Sequence, residues 1–217
     1  MSPPNPNTSF RDCIIQFAKW PEPGHVKTRL AAELGNDGAM EAHIQLTCAV
    51  LDNLLAVGCP LHFWWDRPEP KSRKYAARIL ARLEANRVIS GSQVGAGLGE
   101  RMTHALNEGL ESSDRAVIVG SDCPSVDADY VLQAFAALES ADVVLGPSND
   151  GGFVLLGSRR DLGSALNGID WGTDQALAQT VAALLDNGFR TVQLDERWDV
   201  DELADWERFC TEWQVTQ

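Results

Sequence analysis

The sequence predicts an α/β fold built on a mixed, mostly parallel sheet of about seven strands. Short apolar and β-branched runs alternate with longer segments of helical periodicity, a pattern typical of parallel strands covered by helices. The runs 142–145 and 153–156 lie too close together for a helical crossover, so we expect them to pair antiparallel or across a wide turn. No Pro/Gly/Ser-rich linker and no repeat divides the chain, which favours a single domain over residues 10–217.

Strands are predicted where a short apolar run is bounded by turn residues, and helices where apolar residues recur every three or four positions. In chain order the predicted elements are strand 13–17, helix 38–57, strand 61–65, helix 70–85, strand 87–89, helix 98–111, strand 116–120, helix 127–139, strands 142–145 and 153–156, helix 173–187, strand 191–194 and helix 201–213. Asp127 and Thr173 are expected to cap the helices that begin there, because their side-chain oxygens can accept from free backbone N–H groups. Residues 1–9 are rich in Pro and Asn and predict a disordered lead rather than a signal peptide.

Composition and charge argue against several classes of binding partner and of structural site. The 217 residues include 31 acidic and 18 basic ones, which gives a formal net charge of −13. This charge opposes nonspecific association with nucleic acid or anionic lipid, so neither nucleic acid nor a membrane is expected as a partner. The five cysteines are odd in number and form no C-x-x-C pair, which argues against a zinc ribbon or a disulfide framework and favours a cytoplasmic location.

A cationic loop follows the first predicted strand, where open α/β sheets collect ligands. Within residues 18–30 it carries Lys19, Lys27 and Arg29 against a single acidic residue. Ammonium and guanidinium groups beside free backbone N–H groups suit a di- or triphosphate, and Gly24 allows the main chain to approach closely. The alternative is a solvated loop without a ligand, and the P-loop pattern G-x-x-x-x-G-K-[ST] is absent.

Aspartates follow two other predicted strands. Asp122 lies in a tight turn after strand 116–120, and Asp199 and Asp201 follow the last strand, two positions apart. Carboxylates that meet phosphate oxygens typically hold Mg²⁺ or Mn²⁺, so one ion could join all three. The alternatives are capping of the next helix by Asp122 and ordinary acidic enrichment at the start of the last helix.

Two glycine-rich loops are less informative. The loop with Asp150, Gly151 and Gly152 is either a plain turn or an acceptor-binding loop. Residues 95–101 could admit a base or phosphate but lack the G-x-G-x-x-G spacing of a dinucleotide fold. The four histidines show no H-x-x-x-H spacing and no obvious Ser or Cys companion, so neither a zinc site nor a hydrolytic triad is expected.

These segments, in this order, resemble the bacterial radical-SAM/selenodomain-associated transferases. The segments are Phe17-Ala18-Lys19 with Pro21, Pro23-Gly24, Val26 to Leu30, Leu98-Gly99-Glu100-Arg101-Met102, Gly120 to Pro124, Gly146-Pro147, Asp150-Gly151-Gly152, Ile169 with Trp171, and Asp199-Val200-Asp201. The resemblance covers nearly the whole chain and implies the fold of the nucleotide-diphospho-sugar transferases, a GT-A-type three-layer α/β/α sandwich. In one departure, Gly97 stands where the family usually has Asp, which puts a nucleotide contact from that position in doubt.

The resemblance also implies an activity. The family is similar to guanylyltransferases for 2-phospholactate and the molybdenum cofactor, and relatives are often labelled glycosyltransferases. We therefore expect a metal-dependent transferase that uses a nucleoside triphosphate or a nucleotide sugar as donor to a small acceptor. Nucleotidyl transfer is slightly favoured over glycosyl transfer, because Lys19, Lys27 and Arg29 would balance the charge of a leaving pyrophosphate. A noncatalytic nucleotide-binding module is the further alternative.

The resemblance and the residues together assign four roles. The expected catalytic residues are Asp122, Lys27 and Asp150. The expected ligands of Mg²⁺ or Mn²⁺ are Asp122, Asp199 and Asp201. The expected nucleotide-binding residues are Ala18, Lys19, Gly24, Lys27, Thr28, Arg29, Gly99, Glu100, Arg101 and Ser121. The expected acceptor-binding residues are Asp150, Gly151, Gly152 and Trp171.

Overall fold

The computed structural model describes residues 10–216, and every strand in that range belongs to one sheet. In chain order the elements are β1 (Phe10–Ala18), α1 (Ala31–Leu55), β2 (Leu61–Trp65), α2 (Ala77–Ala85), β3 (Ile89–Ser92), α3 (Leu98–Leu110), β4 (Ser113–Gly120), α4 (Ala128–Ala137), β5 (Val143–Pro147), β6 (Phe153–Ser158), α5 (Ala176–Asp186), β7 (Thr191–Gln193) and α6 (Leu203–Thr216).

The sheet is mixed and mostly parallel, as predicted. Its strand order is β3-β2-β1-β4-β6-β5-β7. All neighbouring pairs are parallel except those that involve β6, which runs antiparallel to both β4 and β5. The antiparallel pairing expected for the two closely spaced strands is therefore confirmed. Because β6 is reversed, it begins at the edge of the sheet where β1 and β4 end.

Helices cover both faces of the sheet, so the predicted three-layer arrangement is confirmed. Helices α1, α2 and α4 pack on one face through buried residues such as Leu51, Leu83 and Phe135. Helices α3 and α5 pack on the other face through buried residues such as Leu106 and Leu184. The period of the apolar residues in each helix predicts this burial, because residues three and four positions apart share a face.

Helix α6 lies outside these three layers and packs on the outer side of α1. The ring of Phe209 lies 5.4 Å from those of Trp206 and Trp213 and belongs to the same apolar cluster as Leu46 of α1. Val200, just before α6, is also buried in this cluster. The packing of α6 thus fixes the segment that carries Asp199 and Asp201.

Strand β3 and helices α1 and α2 differ most from the predicted bounds. The strand predicted at 87–89 begins only at Ile89, because Arg87 has a φ of 54° and Val88 N donates to Leu83 O in the turn after α2. Helix α1 begins at Ala31 rather than at 38, since the chain continues as helix through a kink at Gly35, whose φ of 70° is outside the helical range. Helix α2 begins at Ala77 rather than at 70. Residues 71–75 are all exposed and so have no apolar face to bury against the sheet.

One of the two predicted caps is correct. Asp127 accepts a hydrogen bond from Tyr130 N at 2.8 Å and caps α4. Thr173 is not the cap of α5, because the helix begins at Ala176 and Gln175 occupies the N-cap position. The Thr173 hydroxyl instead accepts from Gln175 N and closes the turn before the helix.

Two predictions concern the extent of the chain. The disordered lead, residues 1–9, lies outside the described residues. A single domain over residues 10–217 stays a prediction. Among the described helices, none combines the length and the apolar character that a membrane crossing requires.

We expect the substitution Phe209→Ala to destabilise the protein by about 3 kcal/mol, because it leaves a cavity between α1 and α6. Urea unfolding followed by circular dichroism measures this loss. The control is Leu132→Ala on α4, where the side chain is 50% exposed and the expected cost is below about 0.5 kcal/mol. Equal losses in the two variants would contradict the proposed packing of α6.

Candidate active site

A cleft of about 580 Å³ opens where β1 and β4 end and β6 begins. Its size is that of a small-molecule site. It brings together predicted residues from all four role groups. Those that line the cleft are Ala18, Lys19, Lys27, Thr28, Arg29, Arg101, Ser121, Asp122, Asp150, Gly152, Trp171, Asp199 and Asp201.

The predicted residues that do not line the cleft are Gly24, Gly99, Glu100 and Gly151. At Gly99 an added Cβ would lie 2.3 Å from the carbonyl oxygen of Leu166, so the glycine allows α3 to pack closely there. The carboxylate of Glu100 accepts a hydrogen bond from Ala96 N at 2.8 Å, which closes the turn before α3. Ligand contact by these four residues stays a prediction.

The ammonium group of Lys27 lies among carboxylates from two other segments. Its Nζ is 3.1 Å from Asp122 Oδ2 and 3.7 Å from Asp201 Oδ1, and it donates a hydrogen bond to the carbonyl oxygen of Val200. The side chain of Lys27 is only 6% exposed. Burial lowers the pKa of Lys27, but Asp122, Asp201 and Asp199 outweigh this effect and raise it above its ordinary value. Lys27 is therefore charged at neutral pH.

The backbone of Lys27 is in the left-handed region, with a φ of 47°. Residues other than glycine, Asn and Asp seldom adopt this conformation, which costs on the order of 1 kcal/mol. The ion pairs at the end of the side chain offset that cost. The loop therefore gives up local backbone energy to place a positive charge in the cleft.

Asp199 carries the surplus negative charge of this cluster. Burial raises its pKa to about 6, and the neighbouring carboxylates of Asp122, Asp150 and Asp201 act in the same direction. No described residue donates a hydrogen bond to the Asp199 carboxylate, whereas Asp201 is paired with Arg29 at 2.7 Å. The positive charge of the described residues thus leaves Asp199 incompletely compensated.

The donor set fits a divalent cation in its chemistry. Within residues 10–216 no group of three or more His, Cys, Asp or Glu side chains is arranged as a metal-binding cluster. Asp122, Asp199 and Asp201 nonetheless line one cleft and offer hard oxygen ligands, which Mg²⁺ and Mn²⁺ prefer. Burial and the neighbouring carboxylates raise the pKa of Asp199, and a bound cation would offset both effects. Binding of an ion by these three residues stays a prediction.

The opposite side of the cleft is formed by the β5–β6 turn and the loop before α5. Asp150 Oδ1 accepts hydrogen bonds from Ser148 Oγ and from Gly152 N, so the carboxylate is fixed in the turn. The ring of Trp171 packs edge-on against Phe153, with a centroid distance of 6.0 Å. The aromatic pair and the carboxylate therefore share one wall.

Gly151 joins the two parts of this wall. Its φ is 84°, and an added Cβ would lie 2.3 Å from the carbonyl oxygen of Asp174. Its own carbonyl accepts a hydrogen bond from Leu177 N at 3.0 Å. Only glycine allows the turn and the loop to approach this closely.

The structure adds two buried polar residues that the sequence analysis missed. His43 of α1 lines the cleft, and its Nε2 donates to the carbonyl oxygen of Lys19 at 2.9 Å. Burial lowers the pKa of His43 to about 4, so the ring is neutral at physiological pH. Gln16 is fully buried, and its Nε2 donates to Ser121 Oγ at 3.0 Å. A polar residue amid an apolar run is the sequence signal that could have identified either one.

Comparisons with known proteins show the family and the fold of the chain. Residues 53–173, more than half of the chain, match the family model DUF2064, "Uncharacterized protein conserved in bacteria". The chain belongs to the DUF2064 family. No curated protein sequence matches it.

Solved structures place this DUF2064 chain beside transferases. A protein from Desulfovibrio desulfuricans G20, provisionally assigned as a nucleotide-diphospho-sugar transferase, shares 32% identity over 89% of this chain and 84% of that one, with a TM-score of 0.78. A nucleotidyl transferase from Methanothermobacter thermautotrophicus shares 15% identity over 95% and 99% of the two chains, with a TM-score of 0.65. A Mycobacterium tuberculosis protein in complex with manganese shares 17% identity over 93% and 98%, with a TM-score of 0.53.

These matches confirm the predicted likeness to nucleotide-diphospho-sugar transferases and nucleotidyltransferases. The second and third show the fold alone, because their identities are low. The association with radical-SAM or selenodomain proteins stays a prediction.

We expect Asp199→Asn to stabilise the metal-free protein by about 1 kcal/mol at pH 8, which corresponds to a rise of about 2–4 °C in Tm. The folded-state pKa of Asp199 is raised to about 6, above the ordinary 3.8, so ionisation of this carboxyl costs stability as the pH rises from about 4 through 6. The variant should therefore gain nothing near pH 4. Thermal denaturation in EDTA across this pH range provides the measurement.

The matched control for this prediction is Asp114→Asn, which removes an exposed carboxylate from β4 outside the cleft. Its effect on Tm should not grow with pH in the same way. A gain for Asp199→Asn that is the same at pH 4 and pH 8 would contradict the raised pKa that burial and the neighbouring carboxylates give this residue.

Proposed function

We propose that the protein is a divalent-metal-dependent transferase that uses a nucleoside triphosphate or a nucleotide sugar as donor to a small acceptor, in the cytoplasm. Nucleotidyl transfer is the preferred reaction. The observation that carries the proposal is the buried ammonium of Lys27, held among Asp122 and Asp201 at the end of a cationic loop. The solved relatives with this fold include a nucleotidyl transferase and a protein in complex with manganese, which supports the same class.

The cationic loop supplies the phosphate-binding groups. Lys19, Lys27, Thr28 and Arg29 all line the cleft. Arg29 is 70% exposed although it pairs with Asp201, so its guanidinium can exchange this exposed ion pair for a phosphate at little cost. Lys27 is less free to move and acts where it lies, as a fixed positive charge beside the phosphates.

Asp122, Asp199 and Asp201 would hold the divalent ion. When bound, such an ion neutralises phosphate charge and polarises the phosphoryl oxygens. Asp122 is bound at its other side to Lys27, so the same carboxylate connects the ion site with the phosphate-binding loop.

In nucleotidyl transfer an acceptor oxygen forms a bond to the α-phosphorus of the triphosphate, and the bond from that phosphorus to the bridging oxygen of the β-phosphate breaks. Pyrophosphate leaves, and its charge is stabilised by Lys27 and the other cations of the loop. The walls of the cleft hold the two reactants near attack distance.

Glycosyl transfer from a nucleotide sugar is the second candidate. It is favoured by the assignment of the 32% identical Desulfovibrio desulfuricans protein as a nucleotide-diphospho-sugar transferase. In that reaction Asp150 would orient the acceptor hydroxyl or accept its proton.

The decisive test is calorimetric titration with GTP, CTP, UTP and UDP-glucose, each with and without Mg²⁺. We expect Lys27→Met to weaken binding of the nucleotide that the wild type prefers by at least tenfold, because a charged contact to phosphate is worth about 1.5–3 kcal/mol. Binding of the matching nucleoside should be unchanged. Lys71→Met, which alters an exposed lysine outside the cleft, is the control.

Asp122→Asn should remove the Mg²⁺ dependence of nucleotide binding while the circular dichroism spectrum stays that of the wild type. Nucleotide binding that ignores Mg²⁺ in the wild type would refute the metal-dependent mechanism. Binding with Mg²⁺ but without turnover of any donor would favour the noncatalytic module instead.

A further inference from the structure

The cleft has two chemically different walls. We call residues 18–29 the phosphate wall and the cleft-lining residues between 148 and 176 the acceptor wall. The phosphate wall carries Lys19, Lys27 and Arg29. The acceptor wall contributes no lysine and no arginine to the cleft.

The arginines in the acceptor-wall segment point elsewhere. Arg159 and Arg160 follow β6 at the far end of the strand, away from the cleft. Arg159 donates to backbone carbonyls after α4, and Arg160 donates to Asp142. Neither can reach a ligand in the cleft.

The remaining cleft arginine is Arg101 of α3, and it is already engaged. Its Nε donates to Gly95 O and its Nη1 to Asp66 O. These bonds hold it at the turn before α3. An anionic acceptor placed on the acceptor wall would therefore find no lysine or arginine on that wall.

The acceptor wall is instead apolar with one carboxylate. Trp171 and Phe153 present aromatic surface to the cleft at a mutual angle of 79°. Asp150 directs its charge toward the same space. A phosphate or carboxylate here would be repelled by Asp150, whereas a ring face would stack on the indole.

We infer that the acceptor is a hydroxyl compound that carries an apolar ring face and no phosphate or carboxylate. A carbohydrate and an aromatic alcohol share this chemistry. The inference rests on the proposed function and deepens it by naming the acceptor class.

Asp150 can accept a hydrogen bond from the acceptor hydroxyl group. Its Oδ1 is occupied by Ser148 Oγ and Gly152 N, and no described residue donates to Oδ2. In the transfer the acceptor oxygen bonds to the α-phosphorus, pyrophosphate takes the electrons of the broken P–O bond, and the hydroxyl proton passes to Asp150 Oδ2. Asp150 is thus a catalytic residue of this reaction, and Trp171 fixes the ring beside it.

The spacing between these two groups is rigid. Gly151 lies against the backbone of Asp174, and its carbonyl is bound to Leu177 N. The carboxylate and the indole are therefore held in place before a ligand enters, which reduces the entropy lost on binding.

The test compares a neutral with an anionic ring compound. Phenyl β-D-glucopyranoside and phenyl phosphate are titrated by saturation-transfer NMR into protein that holds Mg²⁺ and the nucleotide preferred among GTP, CTP, UTP and UDP-glucose. We expect the glucoside to bind at least tenfold more tightly, with saturation strongest on its aromatic protons. Equal or tighter binding of phenyl phosphate, or no binding of either compound, would overturn the inference.

Variants of Trp171 test whether its indole contacts the acceptor ring. Trp171→Ala should weaken glucoside binding by about fivefold or more and leave nucleotide affinity within twofold, while Trp171→Phe retains most of the affinity. The matched control is Tyr75→Ala, which should leave both affinities unchanged because this exposed aromatic side chain lies outside the cleft. Unaltered glucoside binding in Trp171→Ala would contradict the acceptor wall.

The nucleotide affinity of wild type and variants distinguishes failure of the proposed function from failure of the inference about the acceptor. A large loss of nucleotide affinity in Trp171→Ala would indicate that the nucleobase stacks on the indole. This result would overturn the inference about the acceptor but not the proposed function. If no nucleotide binds to the wild type, the proposed function fails, and the inference that rests on it fails too.

Discussion

The buried ion cluster around Lys27 is the interaction on which the site depends. A desolvated ammonium costs several kcal/mol unless carboxylates and carbonyl oxygens surround it, and the aspartates would repel one another without it. Lys27 belongs to the loop after β1, Asp122 to the turn after β4 and Asp201 to the segment before α6. One ammonium group therefore connects three segments that are far apart in sequence. The backbone bond from Val200 N to Asp122 O supports the same connection.

Much of the fold could be predicted from local patterns. The apolar runs and the helical periods located the helices and all the strands except β3, since burial on a sheet imposes those periods. The run predicted for β3 overlaps the observed strand only at Ile89. The convergence of Lys27 and Asp122 was also predictable, because parallel strands bring their carboxyl ends to one edge. The start of α2 and the cap of α5 could not be predicted from local patterns. Exposed residues 71–75 and the turn at Thr173 carry helix-compatible sequence, and only the tertiary environment determines that they remain outside the helices.

The sequence analysis missed His43 and Gln16 for a different reason. His43 and Gln16 act from inside a helix and a strand, where a polar side chain usually only satisfies the core. Their partners, Lys19 O and Ser121 Oγ, belong to other elements, so no spacing within the sequence reveals the contacts. Sequence rules identify side chains that follow strands. They do not identify the buried supports that hold the loops carrying those side chains.

The reversed strand β6 explains why the two walls differ in chemistry. At the ends of the parallel strands β1 and β4 the chain enters loops, and loops can carry exposed Lys, Arg and Asp. Strand β6 starts at this edge instead, so its first residue, Phe153, already belongs to the ladder and faces the core layer of α5. The antiparallel pairing of β5 and β6 therefore sets the cationic loop opposite a wall with aromatic side chains and one carboxylate, which is the arrangement that the proposed polyanionic donor and less polar acceptor would use.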